Sequence, residues 1–225
     1  MGAEFWQTLA LTFRLAAVTT FFLLLIGVPM AYGLSRSNSR MKPLLEALIS
    51  MPLVLPPSVL GFYLLLAFSP ESALGHWLDA HLDLQLVFTF QGLVVGSIIY
   101  SLPFMVQPIQ SGLENLPPNL VQASYVLGKS RFQTLMNVQL PNIKPSLLSG
   151  IVLAFAHTVG EFGVILMIGG NIPGETRVAS IAIYDEVEAL NYGLANQYAL
   201  SLVAFAFIIL TIVYSINRRF LKAIR

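Results

Sequence analysis

His157 and Glu161 are the residues whose chemistry is hardest to reconcile with their surroundings. They stand four apart in the apolar run 146–168, within His157-Thr158-Val159-Gly160-Glu161-Phe162-Gly163. On a helix that spacing puts both on one face, where they could pair. A carboxylate inside a membrane is expensive and faces a pore, a partner or a neighbouring helix. Gly160 and Gly163 let another backbone approach closely. Three readings stay open: a structural hydrogen bond from Glu161 to another helix, a proton relay with His157, or a place on the lining or gate of a translocation path. A metal site needs more ligands than these two, so none is expected.

Arg177 is the second candidate. It ends the turn 171–177, Asn-Ile-Pro-Gly-Glu-Thr-Arg, in which Pro173-Gly174 fixes a tight bend. Asn171 and Arg177 could touch an anion or the rim of a delivery protein. Equally, Arg177 could pair with Glu175 or Glu186 and cap a connection. Arg14, inside the first apolar run, reads as snorkelling towards the outer surface, with an anion path as the other reading.

The third candidate is the stretch 121–141, VQASYVLGKSRFQTLMNVQLP, in a polar gap between two apolar blocks. Pro117-Pro118-Asn119 punctuates the chain, with Asn119 as the expected helix cap. Leu120, Ala123, Val126 and Leu127 recur at helical spacing, Gly128 breaks the run, and Phe132, Leu135 and Met136 are expected to share a face of a second short helix. Leu140-Pro141 is the expected stop. A loop this long is usually functional. It reads as a docking knob for a soluble partner, or as an amphipathic pair lying on headgroups.

The elements that carry these residues are membrane helices. Of 225 residues, 56% are hydrophobic and 10% charged, against about 25% charged in soluble domains. The net charge of +1 points to neither nucleic acid nor an acidic partner, and the absence of cysteine excludes disulfides and thiolate metal sites. The start of the chain reads as the lead-in to a retained span, not a signal peptide. Five windows reach the roughly 20 apolar residues a spanning helix needs: about 9–34, 44–68, 86–108, 146–168 and 198–216, with a long loop at about 113–145. Pro52, Pro56 and Pro57 are expected to bend the second span and Pro103 the third. The expectation is therefore an all-α integral membrane protein, one domain over 1–225.

Charge sets the orientation. Arg36, Arg40, Lys42, Lys129, Arg131, Lys144, Arg218, Arg219, Lys222 and Arg225 fall on one side if the chain crosses five times. The outer loops hold Arg177 against Glu71, Asp79, Asp83, Glu175, Asp185, Glu186 and Glu188. The positive-inside rule places the N-terminus outside and the C-terminus in the cytoplasm. Five spans are too few to enclose a path and also offer two partner faces, so a symmetric homodimer is expected. There is no GxxxxGK[ST] loop, no nucleophile elbow and no HExxH. The chain is expected to be no enzyme and to hold no cofactor.

Gln122-Ala123-Ser124, three residues, Gly128, nine residues, Val138-Gln139-Leu140-Pro141 resembles the EAA signature of bacterial ABC importer permeases, Glu-Ala-Ala, three residues, Gly, nine residues, Ile-x-Leu-Pro. The spacing is kept; Gln122, Ser124 and Val138 depart from it. The resemblance implies a type I importer permease fold, in which this loop is the coupling helix. Gln122, Ala123, Ser124, Gly128, Leu140 and Pro141 would then meet a groove on a cytoplasmic ATP-hydrolysing subunit, present in two copies. Gly160-Glu161-Phe162-Gly163, the run from Gly169 to Arg177 and Met51-Pro52-Leu53-Val54-Leu55-Pro56-Pro57 are similar to the molybdate branch of that family. This second resemblance implies a bacterial inner membrane permease for molybdate, served by a periplasmic molybdate-binding protein. His157, Gly160, Glu161 and Gly163 would lie on the path or gate, and Asn171 and Arg177 at the periplasmic contact. Sulfate or tungstate remains the alternative substrate, and a proton-coupled secondary transporter or a membrane scaffold the alternative class.

Overall fold

The computed structural model describes the backbone of residues 2–223 and the side chains through Ile212. Every regular element among the described residues is helical. The basic residues Arg218, Arg219, Lys222 and Arg225 lie outside the described side chains.

The first helix, α1 (Ala3–Arg36), runs unbroken through Pro29 for 34 residues. At 1.5 Å per residue that is about 50 Å, longer than the ~30 Å of a hydrocarbon core, with Arg36 in its last turn. Next come α2 (Lys42–Ser50), a 3₁₀ turn at Met51–Leu53 and α3 (Pro57–Phe68), the two limbs meeting at 105°. The prolines cause this break. Pro56 sits in the extended region (φ −55°, ψ 135°), where a residue before proline is driven, and Pro57 opens α3 at the one helical position that loses nothing by lacking an N–H.

Beyond α3, the short α4 (Ala73–Leu82) is capped by the Ser72 hydroxyl, and α5 (Phe90–Glu114) by Thr89. The expected bend at Pro103 is not a break: Pro103 and Pro108 both lie inside one continuous helix. The loop region holds α6 (Pro118–Val126), α7 (Arg131–Thr134), a π-turn at Leu135–Gln139 and α8 (Leu140–Asn142). The remaining helices are α9 (Lys144–Gly160), α10 (Gly163–Gly169), α11 (Ala179–Glu188) and α12 (Tyr192–Ala223).

The run 146–168, expected as one span, is two helices. Glu161 takes an extended conformation (φ −65°, ψ 136°), and the helix restarts at Gly163. Among the described residues α1, α5 and the Tyr192–Ile212 part of α12 are each long and apolar enough to cross a membrane. Counting the bent pairs Lys42–Leu53 with Pro57–Phe68 and Arg131–Asn142 with Lys144–Gly160 brings that number to five.

The bundle centres on α5, packed against α1 and α9. Its lower core joins Leu23 and Leu34 to Met105, Ile109 and Ala154, and its upper core joins Leu15 and Leu64 to Leu93, Val164 and Ile181. Small residues allow the crossings. A Cβ on Gly27 would lie 2.7 Å from Met105 Cγ, and one on Gly61 would lie 2.8 Å from Met167 Cβ. Thus α1 closes on α5, and α3 closes on α10.

Candidate translocation path and coupling face

The loop unit is built around buried hydroxyls. Pro117 precedes α6 and Pro118 begins it, so Asn119, expected as the cap, lies in the first turn instead. Ser124, 4% exposed, turns inward and its Oγ meets Thr134 Oγ1 at 2.9 Å, pinning α6 to α7. Gly128 turns the chain between them at φ +78°, a region in which glycine carries no steric cost. Ser130 then caps α7 reciprocally. Its Oγ accepts from the Gln133 amide at 3.2 Å, and Gln133 Oε1 accepts from the Ser130 amide at 3.0 Å.

Leu140-Pro141 does not stop the helix; it forms α8, and the turn comes at Ile143. The wider π-turn also splits the expected face. Leu135 is buried while Phe132 and Met136 stay outside. The tip consequently exposes Val126 (87%), Leu127 (78%) and Phe132 (71%), with Gln122, Ala123 and Pro141 also exposed. Of the six expected coupling residues Ser124 is the buried one, with Leu140 half-buried.

Polar ties hold this face to the bundle. Arg36 at the end of α1 donates to the Tyr32 hydroxyl at 2.7 Å and to that of Tyr125 in α6 at 2.6 Å. Lys42 pairs with Glu114 at 2.8 Å, Gln110 donates to Glu46 at 2.6 Å, and Gln107 donates to Ser50 at 3.0 Å. These link α2 to α5 around a cavity of 310 Å³.

Higher up, the two broken spans meet. A Cβ on Gly163 would lie 2.6 Å from Pro57 Cβ. Beside this junction opens a cavity of 580 Å³ lined by Pro57, Ser58, Tyr100, His157, Glu161 and Gly163. Gly160, whose added Cβ would meet nothing within 4 Å, also faces it. The four expected path residues are therefore brought together, but His157 and Glu161 do not pair. Because α9 ends at Gly160, Glu161 leaves the shared face, and its carboxylate accepts from the Val164 amide at 2.8 Å, capping α10. Its backbone carbonyl accepts from the Ser180 hydroxyl of α11 at 2.5 Å. His157 Nδ1 instead meets Ser101 Oγ of α5 at 2.9 Å, with the ring stacked on Phe104 at 4.1 Å.

The outer turn folds on itself. The Ile172 carbonyl accepts from the amides of Glu175, Thr176 and Arg177. Arg177, with its side chain 14% exposed, reaches Glu4 at 2.7 Å, Glu186 at 3.2 Å and Asp185 at 3.5 Å. It does not pair with Glu175 among the described ion pairs. Asn171 donates to Asp185. Both residues thus bind their own chain and tie the start of α1 to α11. Arg14 stacks over Phe90 at 4.6 Å.

The family described as binding-protein-dependent transport system inner membrane component matches residues 2–225. The chain belongs to this family. It is an inner membrane, multi-pass permease component with the all-helical type I importer fold. The molybdenum transport system permease protein ModB of Azotobacter vinelandii is 46% identical over 93% of this chain and 92% of its own. The sulfate transport system permease protein CysT of Escherichia coli (strain K12) is 32% identical over 97% of this chain and 82% of its own. In fold, the permease matches the bacterial alginate ABC transporter solved in complex with alginate pentasaccharide-bound periplasmic protein. The TM-score is 0.79 at 18% identity, over 98% of this chain and 80% of that one.

Sequence reading of this permease component missed Ser58, Tyr100 and Ser101, which line or support the cavity, and Tyr125 and Thr134, which hold the loop. Ser130 was missed as well, although the S-x-x-Q spacing of a capping box marks it. The others carry no local signal, since their partners lie on different helices.

Proposed function

We propose that this chain is the membrane-spanning subunit of a bacterial ABC importer that translocates molybdate, driven by ATP hydrolysis in a separate subunit. The observation that carries the substrate is the 46% identity to a molybdenum transport permease along nearly the whole chain. The sulfate reading rests on a more distant relative.

The geometry favours a coupled machine over a proton-driven carrier acting alone. The apolar tip of Val126, Leu127 and Phe132 sits on a stapled, glycine-hinged unit. Exposed apolar groups of this kind mark interaction sites. Gln122, Ala123, Gly128 and Pro141 lie with that tip and meet the ATP-hydrolysing subunit; two such subunits serve two copies of this chain. The conformation of Glu161, extended and bonded to the Val164 amide, gives no support to a His157–Glu161 relay. Ser58, His157, Gly160, Glu161 and Gly163 lie on the path, and among the described residues the cavity they line carries no arginine or lysine. A dianion would be trapped by a strong cationic site, so weak polar walls suit passage. Selectivity resides upstream, in a periplasmic binding protein that docks on the outer face. The N-terminus lies outside and the C-terminus in the cytoplasm.

Deleting the gene should abolish high-affinity molybdate uptake and molybdoenzyme activity, with rescue by excess molybdate and no change in sulfate uptake. Loss of sulfate uptake with intact molybdoenzymes would assign the same machine to the other oxyanion.

A further inference from the structure

The coupling unit carries charge of one sign. No aspartate or glutamate lies between Glu114 and Glu161, while Lys129, Arg131 and Lys144 all fall in that stretch. Acids are missing even where the local structure would accept them. Gln133 holds the capping-box position that takes glutamate equally well, and Gln122 stands where the EAA signature has glutamate. Lys129 and Arg131 flank the Ser130 cap, both exposed, and neither pairs with a carboxylate among the described residues. The acids of the inner face, Glu46 and Glu114, are engaged at α2 and α5 by Lys42 and Gln110.

Both cations stand at the end of a helix that suits them least. The helical run Arg131–Asn142 begins beside them, and a helix start favours anions through its unpaired amides. These charges therefore bring no local stabilisation to the helix they open. The positive-inside rule accounts for basic residues on this side of the membrane, and Arg36, Arg40 and Lys42 already supply them. It does not account for two of them at the edge of the exposed apolar tip.

We propose that Lys129 and Arg131 are ionic contacts of the coupling face, and that the surface they meet on the ATP-hydrolysing subunit is an apolar pocket rimmed by carboxylates. The inference rests on reading the tip as the docking site. Val126, Leu127 and Phe132, all strongly exposed, gather around the Gly128 turn and enter the pocket. Lys129 and Arg131 follow the same turn, and their long side chains reach the rim. A protein interface has this arrangement, apolar at its centre and polar at its edge. An anionic bilayer surface also attracts cations, but the tip fits it less well. A helix lying on headgroups displays its apolar residues as a stripe along one side. Here they cluster at a turn between two helices pinned by the Ser124–Thr134 hydrogen bond.

The test places the full chain in bilayer discs of zwitterionic lipid and follows binding of its ATP-hydrolysing subunit. Charges at a rim act mainly on the rate of encounter and on its salt dependence. The wild-type association rate constant should therefore fall steeply as salt rises to about 1 M, where screening acts within about 3 Å. Lys129→Gln combined with Arg131→Gln should lower the low-salt rate about tenfold and flatten the salt dependence, with Arg36, Arg40, Lys42 and Lys144 left to hold the orientation. Reversal of both charges, with Lys129→Glu and Arg131→Glu, should lower it further. A wild-type rate and salt slope in the neutral variant overturn the proposal. So does a difference that appears only when anionic lipid is added to the discs, which would assign the cations to the bilayer. Leu127→Gln combined with Phe132→Gln separates the charges from the dock. Binding lost in that variant but unchanged in the neutral one keeps the dock and removes its ionic rim. Binding unchanged in the Leu127 and Phe132 variant removes the pocket, whatever the charges do.

Discussion

Ser124 and Thr134 share a single hydrogen bond between buried hydroxyls, so each depends on the other. Ser124→Ala alone leaves the Thr134 hydroxyl without its partner and should cost about 1–3 kcal/mol. Replacing both, with Ser124→Ala and Thr134→Val, should recover most of that loss. Hydrogen exchange over residues 118–142 reads the cycle directly, and equal, additive effects would show that the pair contributes nothing as a unit. At this scale the sequence was legible where one residue type has one physical use. Gly128 was expected at a bend and sits at φ +78°. It was illegible where direction matters. The resemblance to the EAA signature placed Ser124 among the coupling residues, yet a loop helix gives no sign of which side faces inward. The pairing of His157 with Glu161 failed for a related reason: it assumed a helix that ends one residue too soon.

Among the elements, the break after α2 was readable because three prolines spell it, while the break after α9 was not. Glu161-Phe162 has no helix-breaking residue of its own; the extended Glu161 is held by the Val164 amide at its carboxylate and by the Ser180 hydroxyl at its carbonyl. Sequence pattern also treated the outer loops as connections and so missed α4 and α11, whose ten residues each fall below any spanning length. The hinge of the coupling unit offers a clean measurement. Nothing lies within 4 Å of a Cβ added to Gly128, so only backbone conformation opposes substitution. Gly128→Ala should cost roughly 1–2 kcal/mol, and Gly128→Asn less, because asparagine tolerates the left-handed region. Uptake per ATP hydrolysed should fall in the same order, Gly, then Asn, then Ala. An Ala variant coupled as tightly as the parent would detach the hinge from coupling.

For the whole molecule, the central features to check are orientation and the division of labour between faces. Reporter fusions after Gly75 and after Arg131 should report opposite sides of the membrane, with Arg131 cytoplasmic. The positive-inside rule predicts this side from the Lys and Arg residues of the loops. Agreement between the two fusions would sink this topology, and opposite sides with Arg131 outside would invert it. The inner face carries a network of ties from α1 and α2 to α5 and α6, and the outer face gathers Glu4, Asp185 and Glu186 around Arg177. Each end of the bundle is thus braced separately.

The abutment of Gly163 on Pro57 means that the two interrupted spans are jointed at one depth. Their outer limbs, α3 and α10, are packed backbone to backbone through Gly61 and Val164. If these outer limbs move during transport, that packing should carry α3 and α10 together about the shared joint. Spin labels on Tyr63 and Leu166 should keep a constant separation through the ATP cycle. A label pair on Leu48 and Tyr63, which straddles the joint, should change its separation. A changing Tyr63–Leu166 separation would show instead that the two limbs, and the cavity wall they share, move independently.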